Sequence, residues 1–339
     1  MQNQLTNKQR LQQNKTSFRV KWENFTSKYW IPVRKRLFGT NDRNGWLIQA
    51  GIYLLLITIG FVYLYPLLFM VTTSFKSLSD LLDTSIRWIP SELYFDNYRQ
   101  AISALNFKES LLGSIVISLF PTLFQVVVTA LVGYGFARFE FPFKRTLLFL
   151  MIFSFIVPPQ VLMMPTYVLY SDLGLLGSIK AFLIPAALGQ GIKSTIFILI
   201  YYQFFRQTPK SLYEAAEVDG ASEWTNFFRI GIPMATPAII IVFLFSFVWY
   251  WNETYLVNLY LTGGASTESR NWVTLQMSLA SFRSTYERMY PAADTGTMNI
   301  NEGITMAGTM LTLIPLLITY FFLQKYFTES VDNSGITGE

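Results

Sequence analysis

The residue types that most often carry enzyme chemistry are scarce in this chain. Its 339 residues include no Cys and no His, which excludes thiolate nucleophiles, Cys/His metal sites, Ser-His-Asp triads and histidine proton switches. No phosphate-cradling GxxxxGK[ST] pattern occurs, so the chain does not bind ATP in that way. Carboxylates, Lys and Ser remain, but they form no evident catalytic constellation. The sequence therefore predicts a protein that is not an enzyme and has no catalytic residues, metal or cofactor of its own.

The most informative spacing follows Pro209. A short helix is predicted here, because Pro209 and Ser211 suit a helix start and the acid Glu214 is favoured in a first turn. Gly220 suits the turn after the helix, where a left-handed backbone is needed. Small alanines would let the surface of another protein approach closely, so the segment could pass a movement of that protein to the membrane helices. The alternative is that the segment is a plain connecting loop. The candidate contact residues are Glu214, Ala215, Ala216, Asp219, Gly220 and Ala221.

A second group of candidates lies at the end of an apolar run, where aromatic and polar residues alternate. Aromatic rings can stack on the C–H faces of sugars, and amides and carboxylates can bind sugar hydroxyls. For most of the rings an aromatic belt at the membrane surface is the favoured alternative. Asn252 and Glu253 are better candidates for a solute path, because polar groups at this depth prefer a cavity. The candidates are Trp249, Trp251, Asn252, Glu253 and Tyr255.

Lys193 interrupts an otherwise apolar run. In a helix that begins near Ala181 it would lie about 18 Å along the axis, close to the middle of a membrane. A lysine there should face a wet cavity or a carboxylate, which makes it a further candidate for the path. The alternative is a shorter helix that starts near Gln190, in which Lys193 extends its ammonium to the membrane surface. The glycines Gly189 and Gly191 make such a break credible and favour this alternative slightly.

The elements that must position these residues are membrane helices. The chain is 52% hydrophobic and only 14% charged, well below the roughly 25% charged residues of a soluble domain. A spanning helix needs about 20 mostly apolar residues, and six runs meet that length. We expect an all-α membrane protein with spans at about 46–74, 110–137, 146–170, 181–205, 231–254 and 303–326.

The basic residues orient these spans. Seventeen of the 26 Lys and Arg fall in the N-terminal segment, the 138–145 loop, the 206–229 loop and the C-terminus, which predicts that these parts are cytoplasmic. Residues 1–45 form a basic segment, expected either as a helix on the inner leaflet or as a disordered tail. Residues 46–329 form the membrane domain, and residues 330–339 a cytoplasmic tail. No cleavable signal peptide is evident.

The Glu214–Ala221 stretch resembles a family motif. Glu-Ala-Ala, then Gly220, Ile230 and Pro233 fall at the spacing of the EAA motif of ABC importer permeases, with Ile232 in place of the usual Leu. The core Asp219-Gly220-Ala221 resembles the sugar branch of that family. Trp88-Ile89-Pro90-Ser91, Tyr134–Arg138, Phe322–Phe327 and Gly335–Gly338 are similar to segments of the smaller maltodextrin permease subunit. The resemblance runs from about Ile48 to Glu339.

This resemblance implies a type I ABC importer permease fold in a bacterial inner membrane. The EAA helix would be a cytoplasmic coupling helix that docks on an ATPase subunit, where ATP and Mg²⁺ bind. The expected partners are a second, related permease, two ATP-binding subunits and an extracytoplasmic sugar-binding protein. The C-terminal tail is similar to tails that reach the ATPase dimer, although Val331-Asp332-Asn333 departs from that pattern. The solute would be a sugar, with an oligosaccharide suggested by the family branch.

Rival functions come from other classes. A permease for a non-sugar solute is the nearer alternative, and the sugar-type motif argues against it. A secondary transporter would need intramembrane acids or a lysine relay, and the clearest spans contain no acid. A membrane-bound enzyme would need a polar constellation on one side of the membrane, and none is evident.

Overall fold

The computed structural model describes residues 37–40, 43–262, 272–291 and 300–335. The described chain divides into two compact units, with the boundary between Phe69 and Met70. The predicted all-α class is confirmed for these residues, apart from two short antiparallel strands, β1 (Gly39–Thr40) and β2 (Arg43–Asn44). The helix or tail is expected for residues 1–45, of which residues 1–36 lie outside the described part of the chain, as do residues 263–271 and 292–299.

The helices are numbered here in chain order over the described residues. They are α1 Trp46–Ser74, α2 Leu78–Leu82, α3 Asp96–Ala104, α4 Phe107–Arg138, α5 Lys144–Ile156, α6 Pro159–Asp172, α7 Lys180–Ala187, α8 Ser194–Gln207, α9 Lys210–Val218, α10 Glu223–Asn226, α11 Ile232–Met234, α12 Thr236–Asn252, α13 Tyr255–Val257, α14 Leu275–Ala280, α15 Phe282–Met289 and α16 Glu302–Gly335. Two π-helical turns, Phe227–Gly231 and Asn258–Thr262, complete the helical elements.

Three helices are long and apolar enough to cross a membrane on their own. They are α1, α4 and the Glu302–Lys325 part of α16, and they coincide with the predicted spans 46–74, 110–137 and 303–326. Helix α16 continues to Gly335, so the segment expected as a tail from residue 330 begins as a helix. Residues 336–339 lie outside the described part of the chain.

Two other expected spans are bent rather than straight. In place of the span 146–170, α5 and α6 meet at 100° around Val157 and Pro158. In place of the span 231–254, the helical stretch Glu223–Met234 meets α12 at 74°. Proline lacks an amide proton and disfavours a helical conformation in the residue before it, which accounts for a bend at Pro158 and Pro159. If each bent pair counts as one span, the described residues hold up to five.

The expected span 181–205 is not a continuous helix. Helix α7 ends at Ala187 and α8 starts at Ser194, and the residues between them include Gly189 (φ +73°) and Lys193 (φ +58°). This agrees with the alternative of a shorter helix, although α8 starts four residues later than Gln190. A break of this kind exposes peptide groups that the membrane interior cannot hydrogen-bond, so other parts of the protein must do so.

Two buried side chains bind the two peptide groups of Ile192 in this break. The Gln125 amide donates to the Ile192 carbonyl at 2.6 Å, and the Ile192 amide donates to the Tyr250 hydroxyl at 3.2 Å. Gln125 comes from α4 and Tyr250 from α12, and both are at most 2% exposed. The break is therefore held from two sides by helices that neighbour it.

The unit that begins at Met70 is called the membrane unit below. Helix α4 lies at its centre and carries a stripe of polar residues. Its members recur every three or four residues, which places them on one face of the helix. Ser110 bonds to Ser278 at 2.8 Å, the Leu275 amide donates to Ser114 at 2.8 Å, and Ser246 donates to Thr122 at 3.2 Å. Small and hydroxyl-bearing residues are typical of close helix contacts in membranes. The buried stripe consists of Ser110, Ser114, Ser118, Thr122, Gln125 and Thr129.

Candidate functional site

The helix predicted around the Glu-Ala-Ala segment is present as α9. It starts after Pro209, whose backbone is extended, and ends at Val218. Gly220 has φ +83°, the left-handed conformation predicted for it, and its amide donates to the Glu217 carbonyl at 3.0 Å. Glu214 is the fifth helical residue, so the expectation that it lies in the first turn is wrong. The helix begins at Lys210, one residue earlier than Ser211 would indicate.

The candidate contact residues of α9 lie largely at the surface. Glu214, Ala215, Asp219 and Gly220 are exposed, while Ala216 and Ala221 are half-buried. Among the nine helical residues Tyr213 alone is buried, with 1% of its surface exposed. One face of α9 is thus open to another surface, and a single side chain of the helix, that of Tyr213, is buried in the membrane unit. Sequence reasoning passed over Tyr213 because it lies one position before the motif.

Tyr213 enters a cluster of aromatic rings that we call the aromatic socket, made of Tyr134, Phe205 and Phe227. The Tyr213 ring lies 6.2 Å from that of Tyr134, which in turn meets Phe205 at 5.2 Å and Phe227 at 5.0 Å in edge-on contacts. All three socket residues are at most 4% exposed. They come from α4, α8 and the π-turn after α10, so three separate elements meet near the buried side chain of α9.

A cation completes this arrangement. Arg138, the last residue of α4, places its guanidinium carbon 3.4 Å from the centroid of the Tyr213 ring. Burial raises the pKa of the Tyr213 hydroxyl above its ordinary value, so the ring is neutral and its face can attract the cation. In the sequence, Arg138 indicates the orientation of the membrane helix and belongs to the Tyr134–Arg138 resemblance, and neither predicts its contact with α9.

The candidate path residues of α12 and the segment after it do not form one open surface. Trp251 is 2% exposed and packs on Phe247, and Trp249 packs on Phe197 with ring centroids 5.3 Å apart. Trp251 is therefore packed within the membrane unit, whereas Trp249 is only half-buried. Tyr255, by contrast, is 62% exposed.

The polar pair at the end of α12 is more accessible. Asn252 is exposed; its amide donates to the Val248 carbonyl at 3.0 Å, and its carbonyl oxygen accepts from Gln276 at 3.0 Å. Glu253 is half-buried and accepts the Leu256 amide at 2.9 Å, so it caps the turn that follows. The ranking of Asn252 above the tryptophans as an accessible polar group is consistent with this geometry.

Lys193 lies on the surface at the start of α8. Its side chain is exposed, and its ammonium lies 5.7 Å from the centre of the Phe155 ring on α5. Among the described residues no carboxylate forms an ion pair with it. The structure thus does not bring Lys193 together with Asn252 or Glu253 in a shared contact.

The family of the chain follows from its sequence between Gln125 and Asn333. Residues 125–333 match the family described as binding-protein-dependent transport system inner membrane component. The chain belongs to this family. Members are ABC importer permeases of the inner membrane, so this chain is a transport subunit and not an enzyme. The EAA segment and α9 lie inside the matched residues, and the resemblance inferred from the motif is confirmed.

Relatives of known name align along most of this permease. It is 29% identical over 296 residues to the diacetylchitobiose uptake system permease protein NgcG of Streptomyces coelicolor, covering 87% of this chain and 90% of that protein. It is 28% identical to the osmoprotective compounds uptake permease protein GgtD of Synechocystis, covering 87% of this chain and 95% of that one. Other relatives at 26–27% identity are named as polysaccharide or oligosaccharide transport permeases.

The fold matches a solved importer. The permease aligns with a chain of a bacterial ABC transporter involved in the import of the acidic polysaccharide alginate, with a TM-score of 0.65 and 20% identity. The alignment covers 83% of this chain and 96% of that chain. The described helices therefore adopt the ABC importer permease fold.

Proposed function

We propose that this chain is one permease subunit of an ATP-driven oligosaccharide importer, with α9 as its coupling helix. The observation that carries the coupling role is the form of α9, which exposes Glu214 and Ala215 and joins the membrane unit through one buried residue, Tyr213. The sugar class is supported by relatives named for diacetylchitobiose and for other saccharides.

Membership of the family implies an ATPase and an extracytoplasmic binding protein as partners. We extend this to two ATP-binding subunits, which hold ATP and Mg²⁺, and to a second related permease that supplies the other half of the path. The three long helices and the two bent pairs give five spans, and we count α7 together with α8 as the sixth. The excess of basic residues in the loops supports a cytoplasmic position for both termini and α9. The candidate path residues in this subunit are Asn252, Glu253, Tyr255 and Lys193, and the half-buried Trp249 and the buried Trp251 are the remaining candidates.

The test is purification of the chain from its native membrane in mild detergent. We expect an ATPase and a second permease to come with it. The complex is then placed in liposomes with its binding protein and given a panel of labelled sugars, chitin-type and arabinose-type disaccharides and trisaccharides together with uronate oligomers. ATP-dependent uptake of one of them supports the proposal.

Two results would contradict it. Recovery of the chain alone, under conditions that preserve other complexes, would remove the importer assembly. Uptake of an osmoprotective compound and of none of the sugars would keep the ABC assembly and replace the solute class, as the relative GgtD suggests.

A further inference from the structure

Few side chains of α9 contact the rest of the membrane unit. Leu212 and Val218, the apolar neighbours of Tyr213 on this helix, are 45% and 88% exposed, so they add little contact with the helices behind. Tyr213 is the one side chain of the helix that is buried. A force applied to the outer face of α9 therefore reaches the membrane unit either through Tyr213 or along the chain at the two ends of the helix.

The ends of α9 are turns rather than stiff connections. Thr208 and Pro209 both have extended backbones, which separates α9 from α8. On the other side, Gly220 adopts a left-handed conformation with open space around it, and α10 begins at Glu223. Turns of this type can absorb the rotation of a helix through changes in the backbone angles of a few residues. The rigid route from α9 into the membrane unit is therefore the Tyr213 side chain.

The Tyr213 side chain meets the end of the central helix. Arg138 ends α4, and its guanidinium carbon lies over the Tyr213 ring at 3.4 Å from the ring centroid. Arg138 is half-buried, and no ion pair within the described residues competes for it. A guanidinium stacked on a desolvated ring is held more firmly than one in water, because the attraction is less screened.

Helix α4 can pass a displacement onward, because the elements that surround it are fastened to it. Its stripe bonds to α12 through Ser246, and its Gln125 holds the break before α8 through Ile192. At the Arg138 end, Gly133 lets α8 approach so closely that an added Cβ would lie 2.6 Å from the Tyr201 Cβ. A movement of the Arg138 end is thus shared by three packed helices.

We infer that the stack of Arg138 on Tyr213 is the contact that couples movement of α9 to α4, which makes these two side chains positioning residues for transport. This inference rests on the proposed coupling role of α9. Neither residue touches the solute or ATP. The stack acts by keeping α9 and the end of α4 together as the ATPase pulls on α9, and the aromatic socket keeps the Tyr213 ring in place for it.

The test uses the whole complex in liposomes, with ATP hydrolysis and uptake of the panel sugar that the wild-type complex imports measured on the same sample. Tyr213→Leu and Arg138→Met each remove the stack and should lower the sugar imported per ATP by at least about fivefold. Tyr213→Phe keeps the ring and should stay within about twofold of wild type. The double variant should fall no further than either single variant, since both remove one contact.

A matched control exists on α8. Arg206 lies 5.9 Å from the Tyr202 ring centroid, which is the same pair of residue types in a looser contact that does not involve α9. Tyr202→Leu should leave the sugar imported per ATP unchanged. All variants are first checked for assembly by size exclusion, and Arg138→Met, at a half-buried position, decides the question if Tyr213→Leu does not assemble.

Two outcomes would overturn the inference. One is a wild-type ratio of sugar to ATP in assembled Arg138→Met, and the other is an equal loss in Tyr202→Leu. Failure of the proposed function gives a different result, because the wild-type complex itself would then show no ATP-driven uptake of any panel sugar. The two failures are therefore distinguishable in one set of measurements.

Discussion

At the scale of single residues, Gly220 and Tyr213 show two different ways in which position determines a role. Gly220 is required by backbone geometry, since φ +83° disfavours any residue with a Cβ, while its side-chain position faces open space. Tyr213 is required by what its ring contacts. The first requirement is visible in the sequence as a glycine after a helical pattern, and the second is not.

Gly220→Val is predicted to impair coupling. A β-branched residue in a left-handed conformation costs roughly 1–2 kcal/mol, so the turn that sets the direction of α9 should change its shape. ATP-driven uptake in liposomes should fall about tenfold, a typical coupling effect. Gly174→Val is the matched control, because Gly174 also has a positive φ (+64°) and open space around it but lies far from α9 along the chain. Equal losses in both variants would mean that strain alone is responsible.

Trp251 and Asn252 are predicted to respond in different measurements, although they are adjacent. Trp251→Ala leaves a cavity at a 2% exposed site and should reduce the free energy of unfolding by about 3–5 kcal/mol. Asn252→Ala removes an exposed side chain, so thermal unfolding in detergent should stay near wild type while the sugar concentration for half-maximal uptake rises. A change in uptake for Trp251→Phe with no change for Asn252→Ala would instead place an aromatic ring in the path.

At the scale of elements, the packing of α4 on α8 depends on a residue that has no Cβ atom. An ideal Cβ at Gly133 would lie 2.6 Å from the Tyr201 Cβ and 3.0 Å from the Tyr202 backbone nitrogen, whereas a Cβ at Gly135 meets nothing within 4 Å. The two glycines are two residues apart on one helix and point in different directions. Only the first is a site of close approach.

Gly133→Ala is accordingly predicted to destabilise the membrane unit, and Gly135→Ala to leave it unchanged. Overpacking of this kind usually costs about 1–3 kcal/mol, because the backbones must separate. Thermal unfolding of the purified complex in detergent provides the comparison, with uptake as a second measurement. An identical transition for both variants would show that α4 and α8 can move apart without loss.

The broken element between α7 and α8 illustrates how polar residues are used inside a membrane. Gln125 and Tyr250 bind the two peptide groups of Ile192, so the break is satisfied within the protein. The sequence signals were a cluster of glycines and a lysine, which indicated a break but not its partners. Gln125 is 67 residues away from Ile192 and Tyr250 is 58, and spacing along the chain gives no reason to pair them.

At the scale of the whole molecule, the charge distribution predicts which loops face the cytoplasm. The absence of Cys makes this testable with single cysteines introduced into an otherwise thiol-free chain. Ser85→Cys lies in the exposed loop after α2 and should react with a membrane-impermeant maleimide on intact spheroplasts. Glu140→Cys, between α4 and α5, should react only after permeabilisation. The opposite pattern would invert the orientation and move α9 to the outer side, where no ATPase could reach it.

The sequence by itself determined the class of this protein. A low charge fraction, long apolar runs and the spacing from Glu214 to Pro233 identified a membrane permease with an EAA helix, and the family match confirms it. These properties are local, since helix propensity, hydropathy and a motif depend on neighbouring residues. The helix of α9 and the left-handed Gly220 were predicted for the same reason.

The tertiary structure alone decided which side chains meet. The bends at Pro158 and near Thr236, the burial of Trp251 and the stack of Arg138 on Tyr213 depend on residues that are distant in sequence. An apolar run marks a helix but not its direction after a proline, and an aromatic residue has the same hydropathy in a belt, a core or a socket. Those outcomes are set by packing between helices, which no pattern along a single helix contains.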